Sequence, residues 1–180
     1  MLNILNTKLF FLINRGAGQF VFLDSFFVFV SKFFVPIIVG LVIVWFFLVL
    51  PKKSKDPLKK LSAYKNAGLL TLSLLIVWPL VELIKGLVAF PRPARLLQDV
   101  HLLSLQVGYD SFPSLHTAIA FTVATFVFYY SKKTGILLFL LAGLVGLSRV
   151  FVGAHFPLDV LVGALIGFLI PKIIHRVFKN

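Results

Sequence analysis

Residues 67–88 read AGLLTLSLLIVWPLVELIKGLV, a stretch whose only charges, Glu82 and Lys85, lie in its last two turns. A helix crosses a hydrocarbon core about 30 Å thick with about 20 predominantly apolar residues, so this stretch is long enough to span. Working outward from it, four further apolar runs have nearly the same character: Phe33 to Leu50, Ser114 to Tyr130, Gly135 to Phe151, and Pro157 to about Val177, the last with a kink expected at Pro171. The solvent for most of this chain is therefore lipid.

Composition agrees. Of 180 residues, 59% are hydrophobic and 13% charged, and 21 are phenylalanine, whereas soluble domains average about 45–50% apolar and about 25% charged. The sequence predicts an all-α polytopic membrane bundle with five clear spans plus an N-terminal interfacial or sixth membrane helix. At the N-terminus, Leu2 to Asn14 and Gln19 to Val30 are split by Arg15-Gly16-Ala17-Gly18. Each piece is too short to cross, so both read as interfacial or partly inserted. The expected organisation is one integral-membrane domain over 1–180, with 1–32 as the N-terminal interfacial part and 33–180 as the catalytic core. No cleavable signal is expected, because Lys8 and Arg15 interrupt the first run and no small-residue cleavage site follows.

The net charge of +12 comes from 18 Lys+Arg against 6 Asp+Glu. The bases form short clusters between apolar runs rather than one polar face, which argues against nucleic acid as a partner and for the positive-inside rule. Lys52, Lys53, Lys55, Lys59, Lys60 and Lys65, then Lys132 and Lys133, then Lys172, Arg176 and Lys179 all fall on one side, expected to be cytoplasmic. The other side carries Lys85, Arg92, Arg95 and Arg149 together with His116, His155 and Asp159. The chain has no cysteine, which removes thiol nucleophiles, disulfides and thiolate metal sites.

Ionisable groups near membrane depth are costly and point to function. Lys85, Arg92 and Arg149 would repel one another unless a polyanion lay between them, and arginine's fork matches phosphate oxygens. Pro113 suits a first helical position, which would set Ser114 and its neighbouring N–H groups at a helix N-terminus, ready for an anion. Pro157 is expected to open the last helix, with His155 just before it and Asp159 in its first turn, close enough to orient the imidazole as a nucleophile. His116, on another helix, is then free to protonate a leaving oxygen. A metal site of His116, His155 and Asp159 has suitable ligand types, but three neighbouring cations would oppose a divalent ion. Glu82, one turn before Lys85, is expected to pair with Lys85 or Arg149, and Asp24 reads as a helix-packing or interfacial residue. His101, Asp99 and Asp110 read as solvated loop, and Gly163 and Gly167 as a helix-packing pair.

Lys85-x6-Arg92-Pro93, Pro113-Ser114-x-His116 and Ser148-Arg149-x5-His155-x3-Asp159 resemble the three-part signature of the type 2 phosphatidic acid phosphatase superfamily, shared with vanadium haloperoxidases. Order, spacing and side of the membrane all match. The resemblance implies a helical core, no metal, no cofactor and a phosphohistidine on His155 oriented by Asp159, with His116 as acid. Around the phosphate it implies Lys85, Arg92, Ser114, Ser148 and Arg149, and the backbone N–H of Leu115, which replaces the family's usual glycine. The expected partner is a phospholipid or lipid-linked phosphate in the bilayer. With only Arg95 as an extra base and a short 94–111 loop, the pocket favours a phosphate monoester under a bulky headgroup, the 1-phosphate of lipid A. Leu12-Ile13-Asn14, Leu23-Asp24 and Ser111-Phe112-Pro113-Ser114 are similar to undecaprenyl diphosphate phosphatases as well, and phosphatidylglycerophosphate and a phosphotransferase reaction stay open. A non-enzymatic lipid-phosphate binder would not need His155 and Asp159 in nucleophile geometry. Oligomeric state and lipid entry path are not legible.

Overall fold

The computed structural model describes residues 3–49, 55–103 and 108–178. Among them are the helices α1 (Ile4–Asn14), α2 (Val21–Val44), α3 (Pro57–Val88), α4 (Pro93–Leu96), α5 (Leu115–Tyr130), α6 (Lys132–Phe151) and α7 (Pro157–Val177), and no strand. α2 runs on into a π-helical turn, Trp45–Val49. Four helical stretches, Val21–Leu48, Lys60–Val88, Lys132–Phe151 and Pro157–Val177, are long and apolar enough to cross a membrane.

One boundary expected from the sequence is wrong. Gln19 to Val30 is not a separate interfacial piece, since Val21 through Val44 is a single helix and the division at residues 32 and 33 falls inside it. The Ser31-Lys32 pair between the two runs has no power to end a helix. Lysine is a good helix former, and Ser31 is fully buried with a partner described below. α1, with 11 residues, is about 16 Å long and remains too short to cross.

α5 is the centre of the bundle, packing on α2, α3, α6 and α7. Its 16 residues reach only about 24 Å, and its inward positions are small, with Ala118, Ala120 and Ala124 buried beside Val123 and Val127. α7 approaches it through Gly163 and Gly167, where a Cβ would strike the backbone oxygens of Ser114 and Ala118. The small-residue pair thus serves contact within the chain. Outward positions such as Leu75, Leu83, Leu140 and Leu161 are more than half exposed, as expected where lipid replaces water.

The helix directions gather the polar residues at one end. The first half of α3 meets the last half of α5 through Ala67, Leu70, Phe126 and Val127, and His175 near the end of α7 stacks on Tyr129 near the end of α5. The basic residues Lys60, Lys65, Lys132, Lys133, Lys172 and Arg176 therefore lie at that end. Lys52, Lys53 and Lys179 lie outside the described residues. The end of α3, the start of α5, the end of α6 and the start of α7 come together at the opposite end, and α1 packs there too.

Candidate active site

The turn between α6 and α7 carries the two residues with the most constrained surroundings. Residues 151–156 are all buried, and the N–H groups of Ala154 and His155 both donate to the Arg149 carbonyl, at 2.9 and 3.2 Å. The turn thus folds back over the end of α6. Gly153 has φ +78°, and a Cβ there would come within 2.9 Å of the His101 carbonyl, so glycine is required twice over. Pro157 opens α7 as expected, and Asp159 lies in its first turn. The Phe156 N–H donates to Asp159 Oδ2 at 2.8 Å, and the same oxygen is 3.5 Å from His155 Nδ1. That separation is long for a hydrogen bond, though catalytic contacts often tighten only when substrate arrives.

His155 is 2% exposed. Burial holds its pKa well below the ordinary 6.5, and the charges of Arg149, Arg92 and Lys85 push the same way. The ring is therefore held neutral at neutral pH, so that a ring nitrogen keeps its lone pair for attack. In free enzyme the acid limb of kcat/KM, which reports protonation of an essential base, is expected below pH 6.5. A pH–rate profile in detergent checks it, and an acid limb centred above 6.5 contradicts a neutral His155.

The cations around this turn are anchored individually. Arg92 precedes the short α4 and donates from Nε to Gly108 O at 3.2 Å and from Nη1 to Ala154 O at 3.0 Å. Arg149, 5% exposed, donates from Nη1 to the hydroxyl and carbonyl of Ser31 on α2. Lys85 Nζ donates to Glu82 Oε1 at 2.8 Å, so Glu82 pairs with Lys85 rather than Arg149. Lys85, Arg92 and Arg149 all act electrostatically on both His116 and His155, which brings the three sequence segments to one pocket. Arg95 instead stacks on Tyr109, 4.8 Å from the ring centre.

The start of α5 differs from expectation. Pro113 is not the first helical residue; Ser114 is the N-cap and Leu115 begins the helix, after a cis Phe112–Pro113 bond. The Ser114 N–H is not available to an anion, because it donates to the Asp159 carbonyl at 3.0 Å. The Ser114 hydroxyl accepts from Thr117 Oγ1 at 3.0 Å. The anion-facing donors that a helix start offers are thus the next N–H groups, those of Leu115, His116 and Thr117. Ser148 is also less open than expected, its hydroxyl donating to Val145 O within its own helix at 2.7 Å.

Several residues that matter have structural roles that the sequence did not assign them. Ser31 holds Arg149, and its signal was a polar residue deep in an apolar run. Ser111, fully buried, donates its hydroxyl to the Phe90 and Pro91 carbonyls, both at 3.2 Å. Its N–H donates to Phe90 O at 2.7 Å, which joins the Arg92 loop to the loop before α5. Asn6 Oδ1 accepts from Leu158 N–H at 3.0 Å. Phe156, the residue preceding α7, has no oxygen with which to cap it, so Asn6 serves that helix from α1. Asn14 Nδ2 donates to Phe151 O at 2.8 Å and to His101 O at 2.9 Å. Asp24 Oδ1 accepts from Gly18 N–H at 3.0 Å and shapes the α1–α2 turn, while His101 is exposed.

A profile of the PAP2 superfamily matches residues 66–180. The chain belongs to the PAP2 superfamily. It is similar to the bacitracin transport permease protein BcrC of Bacillus licheniformis, 31% identical over 166 residues, 92% of this chain and 76% of that one. It is also similar to the putative undecaprenyl-diphosphatase YbjG of Escherichia coli (strain K12), 30% identical over 172 residues, 94% of this chain and 80% of that one. The crystal structure of Aquifex aeolicus LpxE superposes with a TM-score of 0.81 at 34% identity, covering 97% of this chain and 96% of that one. This PAP2 protein is a multi-pass membrane protein of a lipid phosphatase family, and α1 and α2 lie outside the matched superfamily region.

Proposed function

We propose that this PAP2 protein hydrolyses a phosphate monoester of a bacterial envelope lipid through a phosphohistidine, with the 1-phosphate of lipid A as first substrate. The observation that carries the reading is a buried His155 with Nδ1 3.5 Å from Asp159 Oδ2, within the field of Lys85, Arg92 and Arg149. His155 Nε2 attacks phosphorus in line while His116 gives its proton to the leaving lipid oxygen. The phosphoryl group is then on His155, and His116 takes a proton from the water that attacks it, which releases phosphate and restores both rings. The three cations, with the N–H groups at the start of α5, neutralise the equatorial oxygens in each transition state, and Ser148 joins them once its hydroxyl turns from the Val145 carbonyl. Protein charges do the work of a divalent ion in this scheme, so turnover is expected to survive EDTA and to be inhibited by vanadate.

A monoester is favoured by the charge count. Arg95 is stacked on Tyr109, so the cations whose field falls on both histidines are the three of the motif, and a diphosphate brings more negative charge to neutralise. The full-length likeness to Aquifex aeolicus LpxE, in size and in path, supports the same choice. A second reading, undecaprenyl diphosphate, is favoured by the name of the Escherichia coli relative, and phosphatidylglycerophosphate is a third. We also propose that the site faces the periplasm or the outside of the inner membrane, opposite the lysine-rich end.

The test is phosphate release from the three lipids at matched detergent mole fraction, with and without EDTA. Lipid A 1-phosphate is expected to give the largest kcat/KM in both. A kcat/KM about tenfold higher for undecaprenyl diphosphate, about 1.4 kcal/mol of transition-state preference, reverses the substrate choice. Activity lost in EDTA and restored by one divalent ion contradicts the protein-cation mechanism.

A further inference from the structure

α1 has two faces with different partners. Asn6, Phe10 and Asn14, spaced at four residues, are its buried side, and all three grip the turn that holds His155. Asn6 takes the Leu158 N–H, Phe10 packs on Phe156 with ring centres 5.5 Å apart, and Asn14 takes the Phe151 carbonyl. The opposite side carries Lys8 and Arg15, seven residues and so about two turns apart. Between them is a shallow cleft of about 230 Å³ lined by Thr7, Lys8, Phe11, Leu12 and Arg15. Neither base pairs with a carboxylate among the described residues, and Arg15 lies 5.8 Å from the centre of the Phe11 ring. Ile4, Leu5 and Leu12 are 77%, 66% and 75% exposed on the same helix.

A helix too short to cross, with exposed aliphatic residues beside two unpaired cations, has the composition of one that lies in a membrane interface against anionic headgroups. We propose that the cleft between Lys8 and Arg15 binds the headgroup phosphate of an anionic phospholipid, and that this contact holds α1 down on the His155 turn. The occupant is a bilayer lipid because exposed aliphatic residues, Leu12 in the cleft and Ile4 and Leu5 on the same helix, accompany the two bases. The coupling follows from the opposite face. Whatever fixes α1 also fixes the Phe151 carbonyl and the Leu158 N–H, the two ends of the segment that carries His155 and leads directly into Asp159.

The test uses the full chain in nanodiscs of phosphatidylcholine alone or with phosphatidylglycerol, with two readouts. Native mass spectrometry reads the lipid retained after detergent release, and phosphate release reads kcat. Wild-type protein is expected to retain phosphatidylglycerol over phosphatidylcholine and to turn over faster in its presence. Lys8→Gln with Arg15→Gln is expected to lose that retention, by about fivefold for each base removed, and to respond to neither lipid while keeping its phosphatidylcholine rate. Asn6→Ala is expected to keep the retained lipid and lose the rate response. Equal phosphatidylglycerol retention by wild type and the Lys8/Arg15 variant overturns the headgroup site. An unchanged rate response in Asn6→Ala overturns the coupling. The retention measurement needs no turnover, so it stands or falls separately from the proposed phosphatase chemistry.

Discussion

His155→Ala is expected to reduce phosphate release by about 10⁴-fold or more, the scale on which removing a nucleophile acts when its partners form one unit. The residue is buried within a turn closed on the Arg149 carbonyl, so its loss removes the attacking nitrogen without opening the fold. Asp159→Asn is expected to cost about 10²–10⁴-fold, because an amide can still accept from the Phe156 N–H but no longer stabilises positive charge on the imidazole. Lipid binding should persist in both variants, since the cations are untouched. Wild type incubated with radiolabelled lipid phosphate and quenched in alkaline SDS should carry a base-stable, acid-labile label, and His155→Ala should carry none. Retained turnover in His155→Ala, or equal label in both proteins, defeats covalent catalysis at this residue.

The polar segments around this site were legible because lipid makes charge expensive. Lys85, Arg92, His116, Arg149, His155 and Asp159 stood out against apolar runs, and their helix-end positions followed from run length alone. Pro157 could be assigned to the start of α7 for the same reason, since a proline after a polar turn fits only the first position. Pro113 invited the same inference and refused it. There the chain needs one more residue before the helix, and the Ser114 N–H is taken by the Asp159 carbonyl, a contact between segments 45 residues apart that no local pattern reports.

The second misreading has a related cause. Treating Ser31-Lys32 as a boundary weighed hydropathy and ignored helix propensity, while the partner that makes Ser31 affordable in a buried position lies 118 residues away on α6. Asn6 and Asn14 were invisible as supports for the same reason. Each binds backbone groups of a distant segment, and backbone acceptors leave no mark in side-chain spacing. What sequence conveyed was which groups carry charge and chemistry. The groups that hold them in position are small neutral amides and hydroxyls, and their role exists only once the helices have packed.

Arg149 brings these two kinds of residue together, and its replacement is the other change expected to have a very large effect. Its Nη1 donates to Ser31, which fixes the plane of the guanidinium at the end of α6, beside the turn that carries His155. Arg149→Ala is expected to lower kcat/KM by about 10³-fold, the upper range for removing one preorganised donor from a developing oxyanion, and to weaken vanadate inhibition in parallel. Arg149→Lys keeps the charge but not the fork. An ammonium cannot hold Ser31 and a phosphate oxygen in one plane, so a loss of about 10²-fold is expected. Ser31→Ala keeps the guanidinium and removes only its anchor, for a loss of about tenfold or less that shows in kcat more than in KM. If Arg149→Lys is within about threefold of wild type, then charge alone suffices and the bidentate geometry inferred for this site is wrong. If Ser31→Ala costs nothing while Arg149→Ala costs the full amount, Arg149 is held by other contacts and α2 has no part in ordering the pocket.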